Sequence, residues 1–535
     1  MKHTTILLLL LGYVAVLTTG IHAQEGLPTL VITTSGPLNA QEKVDAHLTT
    51  KGYDGPIGIK LRGNSSLAFN QKKYTFETRD GNGKSHSVSL LGMPAHSDWV
   101  LLAPYNDVSM LRDPLAFKLW RDMGHWGPRT VMCELTMDGD YQGIYILCEA
   151  IKRGKNRVDI SEMKASDTNG RALTGGYLLR IDTFNDDDAT FTSKVPGIGE
   201  GSMSSEVIWS CIYPKKKKLQ PEQLDYIQRY VDTVEQVIQS DSFADPTKGY
   251  ACYIDVPSFV DYFIHTELSR NADGYKRSAY FYKERQKKKN GSGGKLVAGP
   301  VWDYNLAYGN CNFANADNPE AWCYEGASNN PTPAMWQRLL QDPSFRRAVK
   351  TRYQELRQTV LSDQAINDFI DRQVQLLAQA TDRHFKTYPE LLVSEERKQQ
   401  LDQQNQANPF GAFPPFGAFP MGAFPPQGNF PPTDSIIPPF GVFPMGEFPM
   451  GAFPPQGAGF PPMGNITFDA AGMFAAYRVS SYDEEIATLK QWLANRLAFL
   501  DRNIERFDQD WQPRIQEPRE IKMQMPMFPA GGFGF

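Results

Sequence analysis

Two acidic residues, Asp273 and Asp303, are spaced so that they could act on one ligand. Between them lie two stretches with strand character, residues 278–283 and 295–298, joined by a run rich in asparagine and glycine. Residues equidistant from a hairpin turn face each other, so we expect both carboxylates at the same end of a β-hairpin. Two converging carboxylates can share a divalent cation or divide into metal ligand and base. The alternative is that they only cap the loops at the hairpin ends.

A helix is predicted immediately before this hairpin. Asp255 and Pro257 form a helix start signal, and apolar residues recur at helical spacing as far as Leu268. The helix should stop at residues 271–274, Asn-Ala-Asp-Gly. The predicted order is helix, acidic loop, hairpin, acidic loop. A protein kinase has the same order, with its catalytic loop before a short hairpin and its metal-binding Asp loop after it. This is an analogy of organisation, because the chain has no HRD or DFG motif here.

The rest of the chain predicts an α+β fold in two lobes. Residues 28–160 alternate strand and turn signals around one helix expected over 108–123, which predicts a mostly antiparallel N-terminal lobe. From about residue 220 helical patterns dominate, and the last is expected over 484–506. We therefore expect a mainly helical C-terminal lobe within residues 161–506.

Composition excludes some classes of function. With 41% hydrophobic and 21% charged residues among 535, the chain is typical of a soluble globular protein. Its net charge of -5 argues against a general nucleic-acid binder. The basic run at 215–218 is interpreted as a solvated loop face, with docking of an acidic partner as the alternative.

The N-terminus has the pattern of a secretory signal peptide over residues 1–23. Lys2 precedes an apolar run from Ile6 to Leu17, and Ala23 suits cleavage. We expect a secreted, periplasmic or cell-surface protein with no transmembrane segment beyond this peptide; an uncleaved anchor is the alternative.

Export permits disulfides among the six cysteines. Cys133 and Cys148 are expected to be cross-strand neighbours, either bridged or reduced, and Cys311 and Cys323 could clip a loop. No cysteine spacing resembles a zinc site.

Residues 403–464 form a Phe/Pro/Gly-rich insertion built on near-repeats of Phe-Gly-Ala-Phe-Pro-Pro. Proline removes backbone donors and glycine adds backbone entropy, so we expect an extended, flexible segment. The tail, residues 507–535, repeats this chemistry near its end and is expected to be disordered. Both segments suggest self-association, with a plain disordered linker as the alternative.

Five short strings resemble, in order, those of the spore coat protein H (CotH) kinase family. They are LRGNSS at 61–66, a lysine pair before Tyr74, residues 143–159 (which include Glu149, Lys152, Arg153 and Arg157), NADGY at 271–275, and GPVWDYNLAYGN at 299–310. The resemblance spans about residues 28–506. It implies an atypical, protein-kinase-like fold that transfers the γ-phosphoryl group of ATP, with Mg²⁺ or Mn²⁺, to serine residues of secreted or coat proteins.

Two other functions remain open. The first is a catalytically weak or inactive family member that acts as a surface-binding or structural coat protein. The second is an unrelated secreted hydrolase that uses the acidic pair, which the missing nucleophile elbow and metalloprotease helix motif disfavour.

The resemblance also suggests residue roles at the acidic loops. Asp303 is the expected metal ligand together with Asn305, which stands where the family more often has Asp. Asp273 is the expected base or hydroxyl-orienting residue, and Asn271 a ligand or partner; these two roles could be exchanged. Lys72 is expected on the phosphates, because it matches the second family lysine and strand alternation would point it with Tyr74.

Further residues are expected around the nucleotide. Arg62, Gly63 and Asn64 form a loop able to approach phosphates closely. Trp302 offers a face for adenine or is a core residue. Glu149 is expected at the lobe junction near the nucleotide. Arg112 and Arg129 are expected in structural salt bridges, with phosphate contact as the alternative.

Overall fold

A computed structural model describes residues 26–199, 205–287, 293–311, 315–326, 331–396, 479–509 and 511–516. The predictions for the signal peptide at 1–23, for the insertion at 403–464 and for the end of the tail lie outside the described residues.

Fourteen β-strands carry the sheets of the described chain. They are β1 Thr29–Thr34, β2 Val44–Thr50, β3 Tyr53–Arg62, β4 Lys73–Thr78, β5 Val88–Leu90, β6 Met93–His96, β7 Asp98–Leu102, β8 Thr130–Met137, β9 Asp140–Glu149, β10 Tyr177–Ile181, β11 Ala189–Thr192, β12 Ile208–Tyr213, β13 Ala279–Lys283 and β14 Leu296–Ala298.

Seven of these strands close into a barrel in the order β1-β2-β3-β4-β7-β9-β8. Neighbours are antiparallel except β1 and β8, whose parallel pairing closes the barrel. Alternate residues fill the interior, among them Ile57 and Ile59 on β3 and Tyr74 and Phe76 on β4. The predicted antiparallel strands are confirmed, but the closure of the barrel was not predicted. Strand β2 was missed because only Leu48 of this strand is buried.

A second sheet has the order β11-β12-β10-β13-β14 and is antiparallel throughout. Helices are the main elements after residue 161, as predicted, but the strands β10, β11 and β12 were missed. Strands β10 and β12 are largely buried, so they lack the apolar-polar alternation that reveals a half-exposed strand.

The helices surround this second sheet and one side of the barrel. They are α1 Arg112–Asp122, α2 Gly170–Leu173, α3 Pro221–Gln239, α4 Val256–Ser269, α5 Met335–Leu339, α6 Pro343–Arg357, α7 Asp363–Leu377, α8 Thr381–Thr387 and α9 Tyr482–Ile504, with short 3₁₀ turns at Ser65–Ala68, Tyr250–Cys252, Pro389–Leu391 and Glu505–Asp508. None of the helices in the described ranges is both long and apolar enough to cross a bilayer.

Helix α1 packs between the barrel and the remaining helices. Val100 and Ile146 point outward from β7 and β9 and join Leu115 and Trp120 of α1 in one apolar cluster that continues into the second sheet. The barrel interior forms a separate cluster. The barrel thus contacts the rest of the molecule through its outer face, and α1 lies at that contact.

The structured chain continues past the boundary predicted at residue 506. Phe507 and Trp511 are buried, with ring centroids 4.4 Å apart, and both pack on Trp322. A disordered tail beginning at 507 is therefore wrong for residues 507–509 and 511–516, because these aromatic rings complete the core.

The cysteine expectations also change. Cys133 pairs across the strands with Tyr145 inside the barrel, whereas Cys148 pairs with Thr130 and faces α1. The two therefore lie on opposite faces and are not cross-strand neighbours. No disulfide occurs among the cysteines of the described chain.

Candidate active site

The hairpin of β13 and β14 brings the two acidic loops together. Phe281 lies opposite Ala298, so the chain before β13 and the chain after β14 leave at the same end. Asn271 links them: its Nδ2 donates to the backbone oxygen of Asp303 at 3.2 Å, and its Oδ1 accepts from the backbone N–H of Asp273 at 3.3 Å. The predicted convergence is confirmed, while the chemical roles stay predictions.

Helix α4 places the first of these loops. The Asp255 side chain accepts from the backbone N–H of Ser258 at 3.0 Å, as its start signal predicts, and the helix ends at Ser269. Arg270 then adopts a left-handed conformation with φ of 43°, which turns the chain into Asn271.

Asp303 combines a strained backbone with an accessible carboxylate. Its φ of 63° is left-handed, a conformation uncommon for a residue with a Cβ. Its side chain is 40% exposed, and Oδ1 lies 3.8 Å from Nζ of Lys73. An exposed carboxylate can bind a cation, and the ammonium beside it can bind the anionic ligand that carries this cation.

The structure places Lys73, rather than Lys72, beside Asp303. Nζ of Lys72 donates to the backbone oxygens of Leu67 and Phe69 at 2.7 and 2.5 Å. Alternation misled the prediction because Tyr74 faces the barrel interior, so its neighbour Lys73 faces outward to the acidic loops. The placement of Lys72 at the site is therefore corrected to Lys73.

Asp273 lies in an environment that favours proton uptake. Burial raises the pKa of the Asp273 carboxyl, the charge of Asp303 raises it further, and the nearby Arg277 lowers it. A carboxylate with a raised pKa is a stronger base near neutral pH.

Asp113 is a third carboxylate at the site and was missed from sequence. Its side chain is buried in the first turn of α1, and Oδ1 accepts from the backbone N–H of Tyr304 at 2.6 Å. Burial, reinforced by the charge of Asp303, raises the pKa of Asp113 to about 7. Its place before Pro114 resembles an ordinary helix start, and no local pattern connects it with a loop so distant in sequence.

Asp182 is a fourth acidic residue near the site and was also missed. It directly follows β10, one of the unpredicted strands. Burial raises the pKa of Asp182; the adjacent Arg180 opposes this, and the charge of Asp303 adds to it. Arg180 lies 3.3 Å from the Asp182 carboxylate and so balances part of the negative charge here.

Trp302 is a core residue in this structure. Only 6% of it is exposed, its ring stacks on Phe117 of α1 at 5.6 Å between centroids, and the Arg62 guanidinium lies 5.1 Å from the ring centre. Because Phe117 and Arg62 both pack on the ring, the geometry favours the core alternative over an adenine platform.

The loop after β3 lies beside Lys73. Arg62, the last residue of β3, pairs in register with Lys73. Gly63 has φ of 128°, and a Cβ there would lie 2.0 Å from Oγ of Ser66, so the turn requires glycine. Asn64 is exposed next to it. Contact of Arg62, Gly63 and Asn64 with nucleotide phosphates stays a prediction.

Glu149 is held in an ion-pair cluster. Its oxygens accept from the backbone N–H and guanidinium of Arg129 at 2.9 to 3.1 Å and from Nη1 of Arg157 at 2.5 Å. These contacts give Glu149 a structural role at the end of β9 and do not support nucleotide contact. The salt bridges expected of Arg129 and Arg112 are confirmed.

The donors at the site fit a nucleotide-bound cation. In the described chain, no group of three or more His, Cys, Asp or Glu side chains is arranged to hold a metal alone. Mg²⁺ in nucleotide sites usually takes one or two carboxylates and completes its shell with phosphates and waters. The exposed Asp303 carboxylate, with the partly buried Asn305 two residues on, supplies hard oxygens of this kind.

Comparison with protein families gives a match over most of the described chain. The family model CotH, described as CotH kinase protein, matches residues 59–407, which is more than half of the chain. The matched range contains Lys73, Asp273 and Asp303 and ends well before α9. It supports a kinase-like function in general. No curated protein matches the chain.

Proposed function

Because this chain belongs to the CotH kinase protein family, we propose that it transfers the γ-phosphoryl group of ATP to serine residues of secreted or surface proteins. The observation that carries the proposal is the convergence of Asp273 and Asp303 on Asn271, with Lys73 at 3.8 Å from Asp303. Phosphoryl transfer requires a cation, a donor on the phosphates and a group that orients the hydroxyl.

Asp303 and Asn305 would hold Mg²⁺ or Mn²⁺ on the phosphates. When bound, the cation neutralises phosphate charge and so favours attack by a hydroxyl. Lys73 donates to the phosphate oxygens, and Arg62, its neighbour in register, adds positive charge. The Lys73–Asp303 contact keeps the ammonium next to the proposed position of the cation.

Asp273 orients the serine hydroxyl and accepts its proton. The serine Oγ–H bond breaks, a bond from Oγ to the γ-phosphorus forms, and the bond to the oxygen of the leaving ADP breaks. Burial raises the pKa of Asp273, which makes it a better proton acceptor. Asn271 holds the Asp273 backbone and the Asp303 loop in one arrangement.

The proposed kinase has two lobes and works outside the cytoplasm. In this proposal the barrel with α1 forms the N-terminal lobe, and the second sheet with the other helices forms the C-terminal lobe. Residues 1–23 direct secretion, and the Phe/Pro/Gly-rich segments mediate self-association. ATP must then be supplied before or during export, or within a nucleotide-containing compartment.

The test is phosphate transfer from labelled ATP to the protein itself or to a serine-rich protein, with Mg²⁺ or Mn²⁺. Wild type should transfer phosphate, and Asp303→Asn should lower the rate on the order of 10³-fold, since the variant would hold more weakly the cation that neutralises the phosphates. Asp371→Asn, at an exposed ion pair with Lys490 on α7 and α9, is the matched control and should keep wild-type activity. If wild type neither binds nucleotide nor transfers phosphate, the kinase proposal fails and the structural coat protein is favoured.

A further inference from the structure

We infer that Arg112 and Asp113 position the Asp303 loop and that Glu485, in the first turns of α9, holds Arg112 in place. The inference rests on the proposed function for its catalytic consequence, but its structural part stands alone. It connects the acidic site with a helix that lies outside the family-matched range of residues 59–407.

The first turn of α1 holds the Asp303 loop at two points. Asp113 accepts from the backbone N–H of Tyr304, the residue after Asp303, at 2.6 Å. Nε of Arg112 donates to the backbone oxygen of Ala307 at 3.0 Å. The two contacts fix both ends of a four-residue turn that begins next to the left-handed Asp303.

Neighbouring contacts support the same loop. Nδ2 of Asn310 donates to the backbone oxygen of Asn106 at 2.6 Å, and Trp302 stacks on Phe117 of α1. The loop that carries Asp303 is therefore held on both sides by the chain around α1. A left-handed residue with a Cβ persists only when surrounding contacts over-determine its conformation.

Arg112 is in turn held by α9. Its Nη1 donates to Asp107 and to Glu485 of α9, at 2.5 Å in both cases, and all three side chains are buried. Tyr482 of α9 also donates to the backbone oxygen of Ser109 at 3.2 Å. Because a buried guanidinium that loses one carboxylate partner is strongly destabilised, Glu485 constrains where Arg112 can point.

The contacts form a relay from α9 to Asp303, in which Arg112 and Asp113 act in parallel on the loop. Glu485 sets Arg112, Arg112 and Asp113 set residues 304–307, and these set Asp303. None of the three side chains needs to contact substrate, so they are positioning residues. Since catalytic groups misplaced by about 1 Å can cost about 10²-fold in rate, loosening this relay should slow transfer.

The structural part is tested by hydrogen exchange of a peptide covering residues 303–310 in the full chain without nucleotide. Glu485→Ala and Asp113→Ala should both speed exchange in this peptide. Asp261→Asn is the control, because Asp261 is a buried carboxylate paired with Arg352 and His125 away from the loop. Equal exchange in wild type and in both relay variants would overturn the inference, whatever the activity of the protein.

The conservative variant separates positioning from a need for charge. Asp113→Asn retains an oxygen that can accept from Tyr304, so it should keep wild-type exchange and most of the activity, whereas Asp113→Ala should lower kcat about 10-fold or more. If Asp113→Asn is as inactive as Asp113→Ala but exchanges like wild type, Asp113 acts through its charge and the positioning role is wrong.

Double substitution tests whether Glu485, through Arg112, and Asp113 act on the same loop. If they do, Glu485→Ala combined with Asp113→Ala should slow transfer by clearly less than the product of the single effects. Independent, multiplicative effects would contradict the relay. Nucleotide binding by wild type, measured with ATP and Mg²⁺, shows separately whether the proposed function itself holds.

Discussion

At the scale of single residues, the site depends on Asp303, where backbone strain and charge coincide. A left-handed residue of this kind costs about 1–3 kcal/mol, which the contacts of Asn271, Asp113 and Tyr304 offset. The Asp303 carboxylate is 40% exposed and lies beside Lys73. The cost is consistent with a functional demand on this carboxylate.

The two lysines before Tyr74 should differ in function. Lys73→Met should raise the KM for ATP and lower kcat/KM on the order of 10²-fold, because it removes the ammonium nearest Asp303. Lys72→Met should have a smaller effect, since the Lys72 ammonium binds the backbone oxygens of Leu67 and Phe69. Steady-state kinetics of both variants measures the contrast, and a larger loss for Lys72→Met would restore the choice made from sequence.

The buried carboxyl of Glu235 should make the stability of the protein depend on pH. It is buried between Oγ of Ser193 and Nε1 of Trp209, and burial raises the pKa of Glu235 to about 7. Asp232, which pairs with Lys194, adds negative charge nearby. A carboxyl whose folded pKa exceeds its unfolded value destabilises the fold as pH rises from about 4.5, and the penalty is complete above about 7.

Glu235→Gln should therefore be more stable relative to wild type at pH 8 than at pH 5, by up to about 3 kcal/mol. Thermal unfolding of both proteins at the two pH values measures this difference. A difference in Tm that does not change with pH would show that Glu235 titrates in the same range in the folded and unfolded chains.

At the scale of elements, the helix and hairpin around the site were predictable because their signals are local. Asp255 caps α4, and the glycine-rich run between β13 and β14 joins two short strands. The pairing of Cys133 was predicted wrongly because the hairpin turn lies closer to Cys133 than to Cys148: Met137 pairs with Asp140, so Cys133 pairs with Tyr145.

The insertion joins two elements whose ends are already held together. The backbone N–H of Val393 donates to the oxygen of Val479 at 3.0 Å, on either side of the segment that contains residues 403–464. Deletion of 403–464 should therefore leave the affinity for ATP and Mg²⁺ unchanged, because shortening a closed loop several-fold alters its closure free energy by only about 1 kcal/mol.

Calorimetric titration of the deletion variant with ATP measures this affinity. Loss of folding on deletion would show that the segment is structural. Light scattering of the same variant tests self-association, which should decrease if the Phe/Pro/Gly-rich repeats mediate it.

At the scale of the whole molecule, helix α8 attaches to the outside of the barrel. Nδ1 of His384 accepts from the backbone N–H of Ile144 on β9 at 3.1 Å, and Arg383 pairs with Glu134 on β8 at 2.8 Å. Gly143 permits this approach, since a Cβ there would lie 2.6 Å from Nδ1 of His384. These contacts couple the barrel to the helices that follow it.

His384 should make this attachment sensitive to acid. Burial lowers the pKa of His384 to about 4, so the folded protein keeps the ring neutral. The unfolded chain takes up the proton near pH 6.5, so stability should fall by up to about 3 kcal/mol between pH 6.5 and 4. His384→Gln should lose this component, visible as a smaller decrease of Tm from pH 7 to pH 5. An identical decrease of Tm in both proteins would contradict this prediction. His265, whose pKa is also lowered to about 4, is present in both proteins and so does not affect the comparison.

The sequence by itself determined the family resemblance, the hairpin and the convergence of Asp273 and Asp303, because caps, turns and strand pairing act between residues close in the chain. Only the tertiary structure decided that Lys73 rather than Lys72 faces Asp303, that Trp302 is covered by Phe117 and Arg62, that Asp113 contacts the Asp303 loop, and that Glu485 pairs with Arg112. The physical reason is that barrel closure sets which face of β4 points outward, and that α1 and α9 reach Asp303 through contacts spanning up to 373 residues. No local pattern records such contacts.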